Sequence, residues 1–267
     1  MKKEFRDVAT LENGEKVRRI TTADERVYVF PSENKKTKLP EYVFKPSVTY
    51  ITAFYPKGKF FEEWLKSKNG DETDLIKRLA GEKGHKVHQA ITVLMGGEEV
   101  KMEDKLINPT TGEEEEITVE EYDAILSYQR FWEGLKEKEF KGSEFLVDSN
   151  KYNYAGTVDL MLKIDGQLWL IDVKTGQNIY EDYKLQVSAY KQAMKEKVPT
   201  HLKGEKLDNV KLAILQVGYR RNKNGYKFTE IEDKFGIFLN IKAIFENEVS
   251  QLPFKQVEYP LSVKLEI

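Results

Sequence analysis

Residues 155–174 read AGTVDLMLKIDGQLWLIDVK, and this stretch decides the fold. Apolar residues dominate both of its halves, and Asp165-Gly166 stands between them. An Asp-Gly pair between two strand-like runs is the strongest short-range signal for a hairpin with a two-residue type I′ turn. The stretch therefore predicts two antiparallel strands, Ala155–Ile164 and Gln167–Lys174, joined by that turn.

The turn also predicts which residues of the two strands face each other. If its two residues form the loop, Ile164 pairs with Gln167, and the same register carried along the strands pairs Asp159 with Asp172. Directly opposed residues have Cβ atoms about 4.5–5.5 Å apart on one face of the sheet. Two carboxylates at that separation repel each other, so the pair needs a counter-ion or a shared proton.

Lys174 joins this pair at the end of the second strand. The run Leu168–Ile171 is apolar on both faces, which marks the strand as central and buried. Side chains alternate along a strand, so Asp172 and Lys174 share a face. Burying isolated charges is costly, and a divalent cation such as Mg²⁺, which prefers oxygen ligands, would offset that cost. These residues predict a metal site at which Lys174 orients a water molecule or stabilises the negative charge on a phosphoryl group. The alternative is an exposed Asp–Lys pair in an ordinary hairpin.

The composition excludes several other classes of site. None of the 267 residues is cysteine, which rules out disulfides, thiolate zinc sites and iron–sulfur clusters. The net charge is −2, so contacts with DNA phosphates would have to come from a local patch or from metal ions. The sequence shows no apolar run of about 18 residues and no apolar signal-peptide core, so we expect no membrane span and a cytoplasmic location, in a bacterial or phage-infected cell.

The segments around the hairpin predict further helices and strands. A capping box at Thr118-x-x-Glu121 opens a helix that runs from Val119 to about Lys138. Helical spacing of apolar residues predicts other helices over Gly58–Lys68, Asp71–Met95, Tyr180–Lys197 and Asp233–Ser250. Alternating patterns predict other strands over Ser143–Asp148, Val210–Gly218 and Tyr226–Ile231.

Three short motifs resemble those of a known family. They are Gly156-Thr157-Val158-Asp159, Asp172-Val173-Lys174 and, on the next predicted helix, Gln186-Val187-Ser188-Ala189-Tyr190. Together they resemble the PD-(D/E)XK nuclease superfamily and, within it, the RecB-type exonuclease branch. Upstream, Gly81-x-x-Gly84-x-x-x-His88 resembles the helix of that branch that carries a histidine metal ligand. The resemblance departs from the family at Val158, where the motif has proline, and it does not extend to the first 45 residues or to the tail.

The resemblance implies a set of site residues. It implies the catalytic residues Asp159, Asp172, Lys174, Glu144, Gln186 and Tyr190. It implies Mg²⁺ or Mn²⁺ held by His88, Asp159, Asp172 and the backbone carbonyl of Val173. Gln186 and Tyr190, four residues apart on one helical face, are also expected to contact DNA.

Each of these assignments has an ordinary structural alternative. His88 borders an apolar helix face and could be a core histidine, Glu144 could face solvent on its strand, and Gln186 with Tyr190 could simply pack a helix. The basic residues Arg220, Arg221 and Lys223 form a predicted hairpin tip that either binds phosphates or is solvated. Gly81 and Gly84 lie inside a helix, where each costs about 1 kcal/mol relative to alanine, which suggests a close approach of another backbone.

The predicted fold class is α/β, with a restriction-endonuclease-like mixed central sheet flanked by helices and an N-terminal helical elaboration. We expect one nuclease domain over 1–267. Its parts are an irregular or hairpin-like extension (1–45), a mainly helical part with His88 (46–142), the catalytic sheet core (143–232) and a C-terminal helix and tail (233–267).

The predicted function is that of a divalent-metal-dependent DNA exonuclease acting on single- or double-stranded ends in recombination, repair or phage DNA processing. An endonuclease of the restriction or junction-resolving type is one alternative, and a non-catalytic DNA-binding protein on a nuclease fold is another. The sequence contains no GxxxxGK[ST] motif, so a helicase or single-strand-binding partner would be a separate chain.

Overall fold

The computed structural model describes residues 4–11, 14–21, 25–33, 40–56, 58, 63 and 70–249. Its N-terminal part is a four-stranded antiparallel sheet in the order β1-β2-β3-β4. These strands are β1 (Glu4–Thr10), β2 (Lys16–Thr21), β3 (Arg26–Glu33) and β4 (Pro40–Pro46).

Of the two alternatives expected over 1–45, an irregular segment is wrong for the described residues, and the strands pair antiparallel in chain order, as in hairpins. In β2, Val17 and Ile20 are the buried apolar residues, three positions apart instead of two. They point to opposite faces, and Val17 packs against Ala155 while Ile20 packs within the N-terminal sheet itself. Because each face has a different neighbour, the strand lacks the simple alternation by which a half-buried strand is identified.

Five helices follow in the described residues: α1 (Val48–Thr52), α2 (Gly70–Met95), α3 (Val119–Gly134), α4 (Glu181–Glu196) and α5 (Phe235–Val249). A two-stranded ribbon of β5 (Lys105–Ile107) and β6 (Glu114–Glu116) connects α2 to α3. The predicted capping box at Thr118 and Glu121 is present. The helix it opens ends at Gly134, not at Lys138, because Lys138 already begins a strand. The helix predicted over 58–68 and the predicted tail fall mostly outside the described residues.

The central sheet has five strands in the order β11-β10-β9-β8-β7. They are β7 (Lys138–Ser149), β8 (Tyr154–Ile164), β9 (Gln167–Lys174), β10 (Lys211–Val217) and β11 (Tyr226–Ile231). The sheet is mixed, because β9 pairs antiparallel with β8 and parallel with β10. Helices flank it, which confirms the predicted fold class.

The hairpin of β8 and β9 has the predicted turn and register. Asp165 and Gly166 have φ angles of 48° and 76°, as both central residues of a type I′ turn require. Ile164 faces Gln167, and the pairing continues in the same register to Leu160 and Ile171. A local turn signal therefore sets the pairing from Ile164 and Gln167 to Leu160 and Ile171.

Helices cover both faces of the central sheet. Leu170 packs on one face in a core shared with α1, α4 and α5, and Ile171 packs on the other face against α2 and α3. The N-terminal sheet docks beside β7 and β8 through a buried ion pair of 2.6 Å between Lys45 and Asp148. None of the helices in the described part of the chain is long and apolar enough to cross a bilayer.

Candidate metal centre and active site

Three acidic residues lie in a row across β7, β8 and β9. Ser143 pairs with Leu160 and Phe145 with Val158, so Glu144 lies opposite Asp159. Regular pairing of β8 with β9 ends at Leu160 and Ile171, and Asp159 and Asp172 come next along the two strands. At this point the backbone N–H of Val173 donates a 2.9 Å hydrogen bond to Asp159 Oδ2. The central sheet thus gathers carboxylates where β9 ends.

His88 reaches this row from α2. Its Nδ1 atom lies 3.3 Å from Glu144 Oε1 and 3.7 Å from Asp159 Oδ1, and its Nε2 atom lies 3.0 Å from the carbonyl oxygen of Val173. One possible ligand atom from each of His88, Glu144 and Asp159 falls within 4.8 Å of the other two. Carboxylate and carbonyl oxygens with one imidazole form a donor set that suits Mg²⁺ or Mn²⁺, so these residues fit a divalent cation.

The charges around His88 also favour a cation here. Burial by itself lowers the pKa of His88, but the carboxylates of Asp159 and Glu144 outweigh burial and raise it to about 9. A partly buried position that holds a proton so firmly has a strongly negative potential. The same potential attracts a metal ion.

Asp172 has different partners from the other two carboxylates. Its side chain is 1% exposed, with Oδ2 2.7 Å from Lys174 Nζ and Oδ1 accepting a 3.0 Å hydrogen bond from Gln186 Nε2. We predicted Asp172 as a metal ligand, but the compact cluster has Glu144 in its place. The two oxygens of Asp172 are held by Gln186 and by Lys174. The register of β8 and β9 contains no information about the helix that carries Gln186. A ligand role for Asp172 stays a prediction.

Lys174 keeps its positive charge in this site. Burial lowers the pKa of Lys174, but the carboxylates of Asp172 and Asp159 together raise it above the ordinary value. Its ammonium also lies 4.9 Å from the ring centroid of Tyr183, a cation–π distance. A permanently charged ammonium stabilises negative charge and does not accept a proton.

Gln186 and Tyr190 lie beneath the site, where they support it. Gln186 Nε2 donates to Tyr190 Oη at 3.0 Å as well as to Asp172, and both side chains are buried. Burial raises the pKa of Tyr190 well above its ordinary value, so the phenol stays neutral. Both residues lie beside Asp172 at the candidate site, with side chains that have little exposed surface for contacts with DNA. Their catalytic and DNA-binding roles stay predictions.

Glu144 has an unusual backbone conformation. Its φ angle is 49°, in the left-handed region that costs a residue with a side chain about 1–2 kcal/mol. The pairing of β7 with β8 also shifts register between Phe140 and Gly142, just before it. Residues with such strain cluster at functional sites, where the surrounding structure maintains them. Here the conformation accompanies a carboxylate directed at His88.

The two glycines of α2 do not have the role that we predicted. A Cβ atom at Gly81 would meet nothing within 4 Å, and one at Gly84 would lie 3.8 Å from Thr175 Oγ1, an ordinary contact. No backbone within the described residues therefore approaches either glycine closely. Both line the open cleft above the metal centre instead.

This cleft has a volume of about 1800 Å³. The N-terminal sheet, α2 and the tip of the β5–β6 ribbon border it, and His88, Glu144 and Asp159 line its base. Eight lysine and arginine residues but only three acidic ones are among the described residues that line it, although the whole chain carries a net charge of −2. The cleft is therefore the local positive patch that the overall charge did not reveal.

Six of these eight cations were missed from the sequence: Lys77, Arg78 and Lys83 of α2, and Arg6, Arg19 and Arg26 of the N-terminal sheet. The charges of Arg6, Arg19 and Arg26 also affect the pKa of His85 on α2. Burial first, and then the charges of Arg6 and Arg19, lower the pKa of His85 to about 4, so this histidine is neutral near pH 7. No local sequence motif predicts that Arg6, Arg19 and Arg26 line the cleft, because they reach it only through tertiary docking of the N-terminal sheet.

The predicted basic hairpin tip contributes less to the cleft than we expected. Arg220 lines the cleft, and its guanidinium lies 3.0 Å from Glu120 Oε1. Arg221 donates to Asn178 Oδ1 at 3.0 Å, and neither Arg221 nor Lys223 is among the residues that line the cleft. Their side chains lie outside it, and binding of DNA by Arg221 and Lys223 stays a prediction.

A mixed sheet with carboxylates, a histidine and a lysine gathered at the end of its central strand is the arrangement of a metal-dependent nuclease. The family model of the PD-(D/E)XK nuclease superfamily matches residues 58–259, and the chain belongs to this superfamily. Nucleases of the superfamily generally use divalent metals such as Mg²⁺ or Mn²⁺. Among curated proteins, none matches the chain.

Proposed function

We propose that this chain is a divalent-metal-dependent DNA exonuclease of the RecB-type branch, acting in recombination, repair or phage DNA processing. The observation that carries the proposal is the grouping of His88, Glu144 and Asp159 within 4.8 Å, at the base of a cleft that also contains Lys174. An open cleft lined by eight basic residues fits a phosphodiester substrate, since phosphate contacts dominate the affinity of proteins for DNA.

His88, Glu144, Asp159 and the carbonyl oxygen of Val173 would hold a Mg²⁺ or Mn²⁺ ion. When bound, such an ion polarises a phosphoryl oxygen and lowers the pKa of a coordinated water. In the hydrolysis, a bond forms between the water oxygen and phosphorus, the bridging P–O bond breaks, and the departing oxygen takes up a proton.

Lys174 supplies a positive charge that stabilises the negative charge developing on the phosphate during hydrolysis. Negative charge grows on the phosphoryl oxygens as the new bond forms, and a fixed ammonium in a partly desolvated site stabilises it. Asp172 holds the ammonium at 2.7 Å, and Gln186 fixes the Asp172 carboxylate from the other side. Tyr190 in turn accepts a hydrogen bond from Gln186. Asp172, Gln186 and Tyr190 therefore act as positioning residues for Lys174.

The choice of an exonuclease over an endonuclease rests on the RecB-type elements. His88 on a helix upstream of the sheet, and Gln186 with Tyr190 on the helix after β9, are characteristic of the exonuclease branch that the motifs resemble. His88 lies 3.7 Å from Asp159, Gln186 donates to Asp172, and Tyr190 accepts from Gln186; this grouping supports the finer assignment.

Digestion of matched DNA substrates tests the proposal. End-labelled single- and double-stranded oligonucleotides and a covalently closed circle are incubated with the wild type and with Lys174→Ala, in Mn²⁺ and in EDTA. We expect degradation of linear DNA only, only in Mn²⁺, with most of the activity lost in the variant. Cleavage of the closed circle would assign an endonuclease instead, and binding without any cleavage in Mn²⁺ or Mg²⁺ would assign a non-catalytic protein.

A further inference from the structure

The cleft-facing side of the N-terminal sheet carries a row of arginines. Arg6 on β1 lies opposite Arg19 on β2, which lies opposite Tyr28 on β3, and Thr21 lies opposite Arg26. Because side chains alternate along each strand, all five share one face of the sheet. All five also line the cleft above the metal centre. The arginines therefore form a continuous surface beside the active site.

This surface has a fixed position relative to the metal centre. Tyr28 Oη lies 3.0 Å from Thr157 Oγ1, two residues before Asp159 on the same strand. The buried ion pair between Lys45 and Asp148 fastens the neighbouring part of the sheet to β7. The two contacts make the arginine surface a rigid part of the active-site cleft.

The charge distribution of the sheet differs between its two faces. On the outer face, Lys16 and Arg18 form ion pairs with Asp7 at 2.6 and 3.4 Å. On the inner face, Arg6 and Arg19 lie directly opposite each other and both line the cleft. A planar guanidinium offers two parallel N–H donors that match a phosphate. Neighbouring guanidinium groups that line a cleft suit the successive phosphates of a nucleic-acid backbone.

The cleft is poorly equipped to read bases. The aromatic side chains among the described residues that line it are Tyr28, Tyr183 and Tyr190. Tyr28 and Tyr190 are buried, and the Tyr183 ring is in contact with the ammonium of Lys174. Exposed rings on which bases stack are the usual platform for unpaired nucleotides. Recognition through the sugar-phosphate backbone, which is the same for every sequence, is the mode that fits this lining.

We propose that the N-terminal sheet is a phosphate-binding wall, on which Arg6, Arg19 and Arg26 hold the backbone of the DNA strand that enters the metal centre, whatever its base sequence. The inference rests on the proposed nuclease function and adds to it. The sheet lies before residue 58, outside the part of the chain that the superfamily model matches. The role proposed for the sheet is to hold the substrate.

Two double variants with equal charge change test the wall. Arg6→Gln/Arg19→Gln removes two charges from the inner face, and Lys16→Gln/Arg18→Gln removes two from the outer face of the same sheet. The affinity of the full-length chain for labelled oligonucleotides of two unrelated sequences is measured by fluorescence anisotropy in EDTA, at several NaCl concentrations. We expect the inner-face variant to lose at least about tenfold in affinity on both sequences and to lower the salt slope by about two. The outer-face variant should stay within about twofold of the wild type.

A conservative variant and a single variant complete the test. Arg6→Lys/Arg19→Lys keeps both charges, and we expect it to keep the wild-type salt slope. If the inner-face glutamine variant fails to fold, as judged by circular dichroism, Arg26→Gln alone should still lower the slope by about one. Unchanged affinity of the inner-face variants, an equal loss in the outer-face variant, or a loss confined to one sequence would overturn the inference.

Cleavage of DNA by the wild type in Mn²⁺ is measured in parallel, to separate this inference from the proposed function. If the wild type cleaves DNA while the inner-face variants bind it normally, the phosphate wall is wrong and the nuclease assignment stands. If the wild type neither binds nor cleaves DNA, both are wrong.

Discussion

The ring of Tyr190 occupies the space in which a side chain at Gly156 would lie: a Cβ atom there would be 2.2 Å from Tyr190 Cε1. Tyr190 accepts the hydrogen bond of Gln186, which in turn fixes Asp172. The glycine three residues before Asp159 is therefore required for close packing of α4 on β8. The first residue of the Gly156–Asp159 motif is thus a contact point between a strand and a helix.

Gly156→Ala should destabilise the protein by about 1–3 kcal/mol, because overpacking a buried contact forces side chains and backbone to shift. It should also lower the rate of DNA cleavage through displacement of Gln186. Urea unfolding and a cleavage assay measure the two effects. In a protein that already carries Tyr190→Ala, Gly156→Ala should cost less free energy of unfolding than it does in the wild type. Strictly additive losses in the double variant would show that the two residues do not clash.

Gly81→Ala is the opposite case on α2. Nothing lies within 4 Å of the new methyl group, and the residue is inside a helix, so the substitution should stabilise the protein by about 0.5–1 kcal/mol. Urea unfolding in EDTA measures this. A lower free energy of unfolding would mean that a neighbour restricts this glycine after all.

Lys174→Ala should reduce the single-turnover cleavage rate by about 10²–10³, the usual effect of removing one preorganised group that stabilises transition-state charge. Lys174 is not part of the cluster of His88, Glu144 and Asp159, so affinity for Mn²⁺ should change far less than the rate. Rates measured at saturating metal and a Mn²⁺ titration distinguish the two effects. An unchanged rate would remove Lys174 from the mechanism.

His85 should make the protein sensitive to mild acid. Its pKa is about 4 in the folded protein and 6.5 when unfolded, so between these values the unfolded chain binds the additional proton. Stability contributed by neutral His85 is present above pH 6.5 and is lost as the pH falls towards 4. Urea unfolding of the wild type and of His85→Gln between pH 5 and 7 checks this: the variant should lose less stability on acidification. Parallel pH profiles would contradict the prediction.

The sequence predicts the β8–β9 hairpin and its register because a local turn determines both. The same local information places Asp159 and Asp172 next to each other. Alternation along β9 also places Lys174 on the same face as Asp172, and the two lie 2.7 Å apart. The local information does not predict that Gln186 holds Asp172, because that depends on how α4 packs across the sheet. Glu144 was proposed from resemblance alone, and neither its φ of 49° nor the register shift before it has a recognisable local signal.

The N-terminal sheet was the least predictable part, for a physical reason. Its strands bury residues on both faces against different neighbours, so the usual alternation is absent, and charged residues make them look like loops. Arg6, Arg19 and Arg26 reach the cleft only because long-range contacts such as Tyr28 with Thr157 dock the sheet. Patterns of neighbouring residues contain no information about such docking.

Calorimetric titration of the metal-free protein with Mn²⁺ tests directly whether His88, Glu144 and Asp159 hold a divalent cation. Wild type, Glu144→Gln and the outer-face control Arg18→Gln are compared, since Glu144 belongs to the compact cluster but was not among the metal ligands predicted from the sequence. We predict one Mn²⁺ per chain for the wild type and for Arg18→Gln, and a loss of about tenfold or more in affinity for Glu144→Gln, since removing one carboxylate weakens an oxygen-ligand site. Equal affinity of the wild type and Glu144→Gln would contradict the account.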